Sequence, residues 1–238
     1  MEVNLNIKKR MDKETYILDG YKDERGSNVP NYTVSSDKKL DSKGAFFDIC
    51  EIGDAMKMQP AFNEGLHCHD YYTIFIIKGK GTHQIDMHAE KFSSLSVFFI
   101  SPGQPHMVKY DELDYGYAIA FSSSFLDNMS ANMMFHIKNN VFNTLSGSIV
   151  CNINDEKEKF LIEDIKQLLS SFLLPAKSFG YTTRLASLLT VLMVNLQDYG
   201  EWHGQIDSSS NANEGSVTNC MGNMTCDRTK ITNFGHEK

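Results

Sequence analysis

The stretch His67-Cys68-His69-Asp70-Tyr71-Tyr72-Thr73-Ile74-Phe75-Ile76-Ile77 is followed by Lys78-Gly79-Lys80-Gly81, and Phe98-Phe99-Ile100-Ser101-Pro102-Gly103-Gln104-Pro105-His106 comes further on. Together these segments set the expectations for the whole chain. Side chains alternate faces along a strand, so His67 and His69 share a face with Tyr71, Thr73 and Phe75, and Cys68 takes the other. A sheet curled into a barrel brings His106, just after the Pro102-Gly103 turn, into the same space. Three imidazoles at a barrel mouth suit either a polar ligand pocket or a transition metal with open coordination positions.

Working outward, short β-prone runs recur between turn residues. Thr73 to Ile77 is punctuated by Gly79 and Gly81 and followed by Thr82 to Met87. Ala89-Glu90-Lys91 reads as a polar turn before Leu95 to Ile100, and His106 to Tyr110 and Tyr115 to Phe121 complete the set. This spacing predicts a mainly β fold, an antiparallel barrel or sandwich. Upstream, Phe46, Phe47, Ile49, Cys50 and Ile52 predict a short strand pair turning at Gly53-Asp54, and residues 1–43 read as an irregular arm.

After Phe121 the period changes. Ser122-Ser123-Ser124 offers N-cap hydroxyls for a short helix, and Asp127 to Ser148 reads as irregular or broken helix. An amphipathic helix is expected from Asn154-Asp155 through Phe172, stopped by Pro175. A second runs from about Tyr181 to Tyr199, with Leu185, Leu188, Leu189, Leu192 and Leu196 at steps of three and four. These leucines are the expected dimerisation stripe of an antiparallel helical pair. The Ser-, Asn- and Gly-rich tail predicts disorder. Four segments result: an arm (1–43), a barrel (44–150), a helical pair (151–200) and a tail (201–238).

Composition narrows the function. The 238 residues are 41% hydrophobic and 22% charged, ordinary for a globular protein. No apolar leader or membrane-length run stands out, which predicts a cytoplasmic protein without membrane contact. With a net charge of −7 and Arg10, Arg25, Arg184 and Arg228 as its arginines, the chain has no basic face for DNA. Cys50, Cys68, Cys151, Cys220 and Cys226 are scattered and odd in number, so free thiols are expected rather than a disulfide framework.

Some residues are read as structural. His83 and His88 are expected on the surface beside a strand turn, and Met129, Met133 and Met134 as adaptable packing. Cys68 points away from His67 and His69, which argues against a Cys-His catalytic pair.

The pattern Gly65-x-His67-x-His69 with Pro102-x-x-x-His106 resembles the two cupin motifs. In metal-binding cupins these supply His, His, Glu and His. Here the Glu position falls on Thr73 or Ile74, which weakens an enzymatic reading. A closer resemblance is to the amino-terminal effector-binding and dimerisation domain of AraC-type transcriptional regulators. Its carriers are His67 to Tyr72, Ile74 to His83, Phe98 to His106, Gly116 to Ser122 with Phe125-Leu126, and the two helices, so that it extends from about residue 45 to 202.

The resemblance implies a cupin-like β-barrel holding a small-molecule effector, commonly without a metal, and helices that dimerise. It also implies a carboxy-terminal DNA-reading domain with two helix-turn-helix units. Residues 201–238 have neither the helical stripe nor the charge for that, so the expectation is a truncated regulator that does not bind DNA by itself. The expected partners are an effector such as a sugar or another polar small molecule, and a second copy or a full-length regulator in a mixed dimer. The expected pocket is His67, His69, Tyr71, Thr73, Phe75 and His106, with no cofactor and no catalytic residue. The alternative is a metal-dependent cupin enzyme, in which His67, His69 and His106 hold a divalent transition metal and Tyr71 or Tyr72 orients substrate.

Overall fold

Ile74, Phe75, Ile76 and Ile77 form an unbroken apolar run, the pattern of a strand covered on both faces, and all four are buried. They lie in β5 (Tyr72–Ile85), the centre of the fold. The computed structural model describes residues 16–22, 28–33, 40, 44–53, 65–142 and 149–203. The other strands are β1 (Tyr16–Lys22), β2 (Asn28–Thr33), β3 (Phe47–Glu51), β4 (Cys68–His69), β6 (His88–Phe92), β7 (Ser96–Ile100), β8 (His106–Phe121), β9 (Ile149–Ile153) and β10 (Gly200–His203). The main sheet has seven strands, in the order β10-β9-β7-β5-β8-β3 with β6 also pairing β5. Its pairings are antiparallel throughout, as expected of a cupin-like barrel. A smaller sheet orders β1-β2-β4, with β2 parallel to β4 through Asn31↔Cys68 and Tyr32↔His69.

Several strands differ from expectation. Lys78 to Gly81 is not a turn: β5 runs on through it with register shifts against β8, and the reversal comes at Asp86, which has a positive φ of 53°. The glycines serve close approach instead of chain reversal. A Cβ on Gly79 would lie 2.2 Å from the Glu112 carbonyl oxygen, and one on Gly81 2.2 Å from that of Lys109. The expected turn at Ala89-Glu90-Lys91 is part of β6, and β8 is one continuous strand where two were expected. The arm is not wholly irregular, since β1 and β2 form an antiparallel pair within it. β9 lies at the expected border between barrel and helices, and β10 extends order to His203. Of the strand pair expected upstream, β3 is described; Asp54 to Met58 lies outside the described residues. Residues 204–238, most of the expected tail, also lie outside them, as do Cys220 and Cys226.

The helices are α1 (Ala131–His136), α2 (Glu158–Phe172) and α3 (Tyr181–Tyr199). Ser122 caps the short 3₁₀ turn Ser123–Asn128, its hydroxyl accepting from the Phe125 N–H. The Tyr181 hydroxyl donates to the Phe172 carbonyl at 2.8 Å, joining the start of α3 to the end of α2. The Asp164 carboxylate accepts from Asn195 at 2.9 Å and Tyr199 at 3.0 Å.

The main sheet separates two apolar clusters. Phe75, Ile77, Ile85, Phe98, Ile100, Val108 and Ala118 form the inner one. Ile74, Ile76, Val97, Phe99, Ile119 and Phe121 pack on the other side in one cluster with residues of α2 and α3. The barrel and helical pair, expected as successive domains, therefore share a core. The leucine stripe also changes meaning: Leu185, Leu189, Leu192 and Leu196 have no exposed surface and belong to that core. An amphipathic stripe reports burial without naming what buries it, and here the chain's own sheet does so. Leu188 is half-buried, while Val191 and Val194 are the large apolar residues that α3 exposes. Met129, Met133 and Met134 pack against the same core, as expected.

Candidate functional site

His67 and His106 are joined through their backbones. Each N–H donates to the other's carbonyl, at 3.1 and 2.7 Å, in an isolated antiparallel bridge. The Gly103 N–H donates to the His69 carbonyl at 2.6 Å, so the Pro102-Gly103 turn is stitched to the His-x-His segment. The Gln104 side chain secures this turn, donating to the Asp86 carboxylate at 2.6 Å and accepting from the Ser101 N–H at 3.1 Å. These bonds bring residues far apart in sequence onto one surface.

The three imidazoles converge as expected. Ring centroids are 4.4 Å apart for His67 and His106, 4.8 Å for His69 and His106, and 5.0 Å for His67 and His69. One ring nitrogen from each lies within 4.8 Å of the others. All three residues are buried. The Nδ1 atoms are engaged: His67 with the Gly65 carbonyl at 3.0 Å, His69 with Thr73 Oγ1 at 3.4 Å, and His106 with His83 Nε2 at 3.2 Å. A tautomer protonated at Nδ1 carries its lone pair on Nε2. The Nε2 of His106 is buried and has no hydrogen-bond partner among the described residues.

The other expected pocket residues gather here too. Tyr71 stacks on His69, with centroids 4.7 Å apart and planes 6° from parallel. Phe75 lies 5.4 Å from the His106 ring, and Thr73 reaches His69. Tyr72 takes the opposite face of the sheet, against Phe121 and Phe142, so of the two tyrosines considered as substrate-orienting groups only Tyr71 joins the cluster.

His83 is the residue sequence reasoning misplaced. Expected at the surface, it is fully buried, with Phe98 at 4.6 Å and Phe75 at 5.6 Å. The glycine-rich stretch suggested a turn that would expose it. Because β5 continues, the alternation that puts Thr73 and Phe75 inside also puts His83 and Ile85 inside. Extending the alternation past Gly81 was the available signal. His88 is exposed, as expected.

Burial holds these imidazoles neutral. It is the main cause of lowered pKa values at all four, carrying His83 to about 3 and His69 and His106 well below the ordinary value. For His67 the backbone bond to Gly65 partly opposes it. Neutral imidazole is both the metal-ligating form and a donor–acceptor for polar ligands. Among the described residues no carboxylate joins the three-histidine group.

Residues 51–138 match the family model of the AraC-like ligand binding domain. This segment, less than half of the chain, is similar to the AraC-like ligand binding domain. It contains all four histidines of the cluster and most of the inner face of the sheet. A search of curated proteins finds no match. Among solved structures, the crystal structure of the AraC-like transcriptional activator CuxR aligns with a TM-score of 0.34 and 12% identity, over 59% of this chain and 45% of that one. The alignment thus spans less than half of that activator's length. No helix among the described residues is long and apolar enough to cross a membrane.

Proposed function

We propose that this chain senses a small molecule, as the effector-binding and dimerisation part of an AraC-type transcriptional regulator. The observation that carries the reading is the convergence of His67, His69, Tyr71, Thr73, Phe75 and His106 on one inner surface of a segment similar to the AraC-like ligand binding domain. Aromatic faces and imidazole nitrogens together suit a polar molecule with an apolar side, such as a sugar. Regulation then operates through association, by a second copy or by a full-length regulator in a mixed dimer.

A thermal-shift screen of the chain against sugars and related polar metabolites tests the reading, because a ligand that binds the folded state raises its unfolding temperature. The expected result is a concentration-dependent rise with one chemical class, reduced by His69→Ala or Tyr71→Ala. A rise unaffected by both variants would place binding elsewhere and overturn the assignment. Co-purification with full-length AraC-type regulators tests the mixed dimer; strict self-association would count against it.

A further inference from the structure

We propose that the outer edge of β10 is a contact surface for a second copy of this chain, pairing antiparallel with the partner's β10 about a twofold axis at Trp202. The proposal rests on the dimerisation part of the function proposed above, and it names the surface and the register.

The strand ladder shows which way the backbone of β10 faces. β10 ends the main sheet and pairs with β9 alone among the described residues. The register is Gly200↔Ile153, Glu201↔Asn152, Trp202↔Cys151 and His203↔Val150, without a shift. The Asn154 N–H donates to the Tyr199 carbonyl at 2.9 Å, so Tyr199 and Asn154 are a hydrogen-bonded pair of this antiparallel ladder. Such pairs alternate with non-bonded ones, and Glu201 and His203 therefore direct their N–H and C=O groups to β9. Gly200 and Trp202 direct theirs outward. The Ile153 N–H agrees with this phase, since it donates away from β10, to the Leu95 carbonyl at 2.9 Å.

A row of outward N–H and C=O groups is a template for another strand, and proteins usually blunt it. The opposite edge of the sheet is blunted in this way. Counting from the Ser122 N–H bond to the Phe46 carbonyl at 3.0 Å, the Ile49 N–H faces away from β8, and the Asp48 carboxylate accepts it at 2.9 Å. β10, by contrast, carries no proline, lysine or bulge. Its end is also held firmly: the Trp202 ring stacks on Phe99 with centroids 5.2 Å apart, and its Nε1 donates to the Leu196 carbonyl at 3.2 Å.

The side chains of β10 complement their own sequence reversed. With Trp202 on the axis, its outward N–H and C=O can exchange both bonds with the partner's Trp202. Glu201 then falls opposite the partner's His203, and His203 opposite the partner's Glu201. Both side chains are exposed, and they occupy non-hydrogen-bonded positions, where facing side chains approach most closely. One twofold contact thus forms two carboxylate–imidazole pairs. Centring the axis on Glu201 instead would set that carboxylate against its own copy, which is destabilising. Four residues a side is small against the roughly 1,200–2,000 Å² of stable interfaces, so this contact is weak and concentration-dependent.

Sedimentation velocity of the full chain, from low micromolar to several hundred micromolar, is expected to show a reversible dimer. Trp202 is the one tryptophan in the sequence, so its fluorescence should change over the same range. Glu201→Lys and His203→Glu each remove both facing pairs and should weaken self-association about tenfold. Mixed in equal amounts, the two variants should associate with each other as tightly as wild type does with itself. In that mixture the introduced lysine faces the introduced glutamate, and native His203 faces native Glu201. Urea midpoints of both variants, at exposed positions, are expected to match wild type.

A mixture that associates no better than either variant alone overturns the register. Self-association that neither variant weakens, while Val191→Asp with Val194→Asp does, overturns the contact and leaves dimerisation to α3. A wild type that stays monomeric throughout overturns it together with the dimerisation reading, and the ligand screen then decides sensing by itself.

Discussion

His83 Nε2 stands 3.2 Å from His106 Nδ1, and both rings are buried away from solvent. An extra proton on either imidazole would be a charge without water around it. The folded pKa values of His69, His83 and His106 lie below the unfolded value. Below about pH 6.5, and for His83 down to about pH 3, the unfolded chain therefore binds protons that the folded chain excludes. Stability is fully present above pH 6.5 and falls as pH drops through this window, by about 1.4 kcal/mol per pH unit for each such group. Urea midpoints measured from pH 7 to pH 4 should fall accordingly, and His83→Phe should flatten the slope. An unchanged slope in the folded variant would mean that His83 titrates alike in both states.

Gly79→Ala is expected to destabilise the chain by at least about 2 kcal/mol. Its φ is 150°, and the new methyl would meet the Glu112 carbonyl at 2.2 Å, forcing β8 away from β5. Urea unfolding measures the effect. A cost below half a kcal/mol would show that β8 yields easily there.

The leucines of α3 and its exposed valines should separate stability from association. Leu189→Ala opens a cavity in the shared core and is expected to cost about 2–5 kcal/mol. Val191→Asp combined with Val194→Asp changes surface positions and should leave the unfolding midpoint almost unmoved. Sedimentation velocity should show weaker self-association for the double variant if the outer side of α3 meets a second copy. An unchanged sedimentation profile would locate that contact on another surface.

A polar link joins the barrel to the start of α2. The Lys78 ammonium donates to Glu158 at 2.5 Å, and the Tyr115 hydroxyl donates to the same carboxylate at 2.9 Å. The Lys78 and Glu158 side chains are 28% exposed, so Glu158→Gln should cost only about 0.5–1 kcal/mol, shrinking as salt is added. Denaturation at low and high ionic strength checks both parts.

Sequence legibility followed the strength of local constraint. The helix over Tyr181–Tyr199 was readable to the residue because its leucines repeat and Pro175 interrupts the preceding helix. The His67, His69 and His106 convergence was readable from strand parity and the Pro-Gly turn. His83 was not, because Gly79 and Gly81 carry the same local signal whether they form a turn or let a neighbouring strand pass close by. The distinction lies in Glu112 and Lys109, roughly thirty residues away along the chain. β9 was missed for a similar reason: it is a short strand whose place depends on pairing with β7 and β10. The leucines of α3 were correctly seen as an apolar stripe, but periodicity does not say which surface covers it.

β5 is a partition one residue thick. Phe75 touches the rings of His83 and His106 on one side, while its neighbours Ile74 and Ile76 share a core with α2 and α3 on the other. No loop intervenes between the two. Anything that bowed this wall toward the helices would shift their seat in the same movement, because one strand faces both.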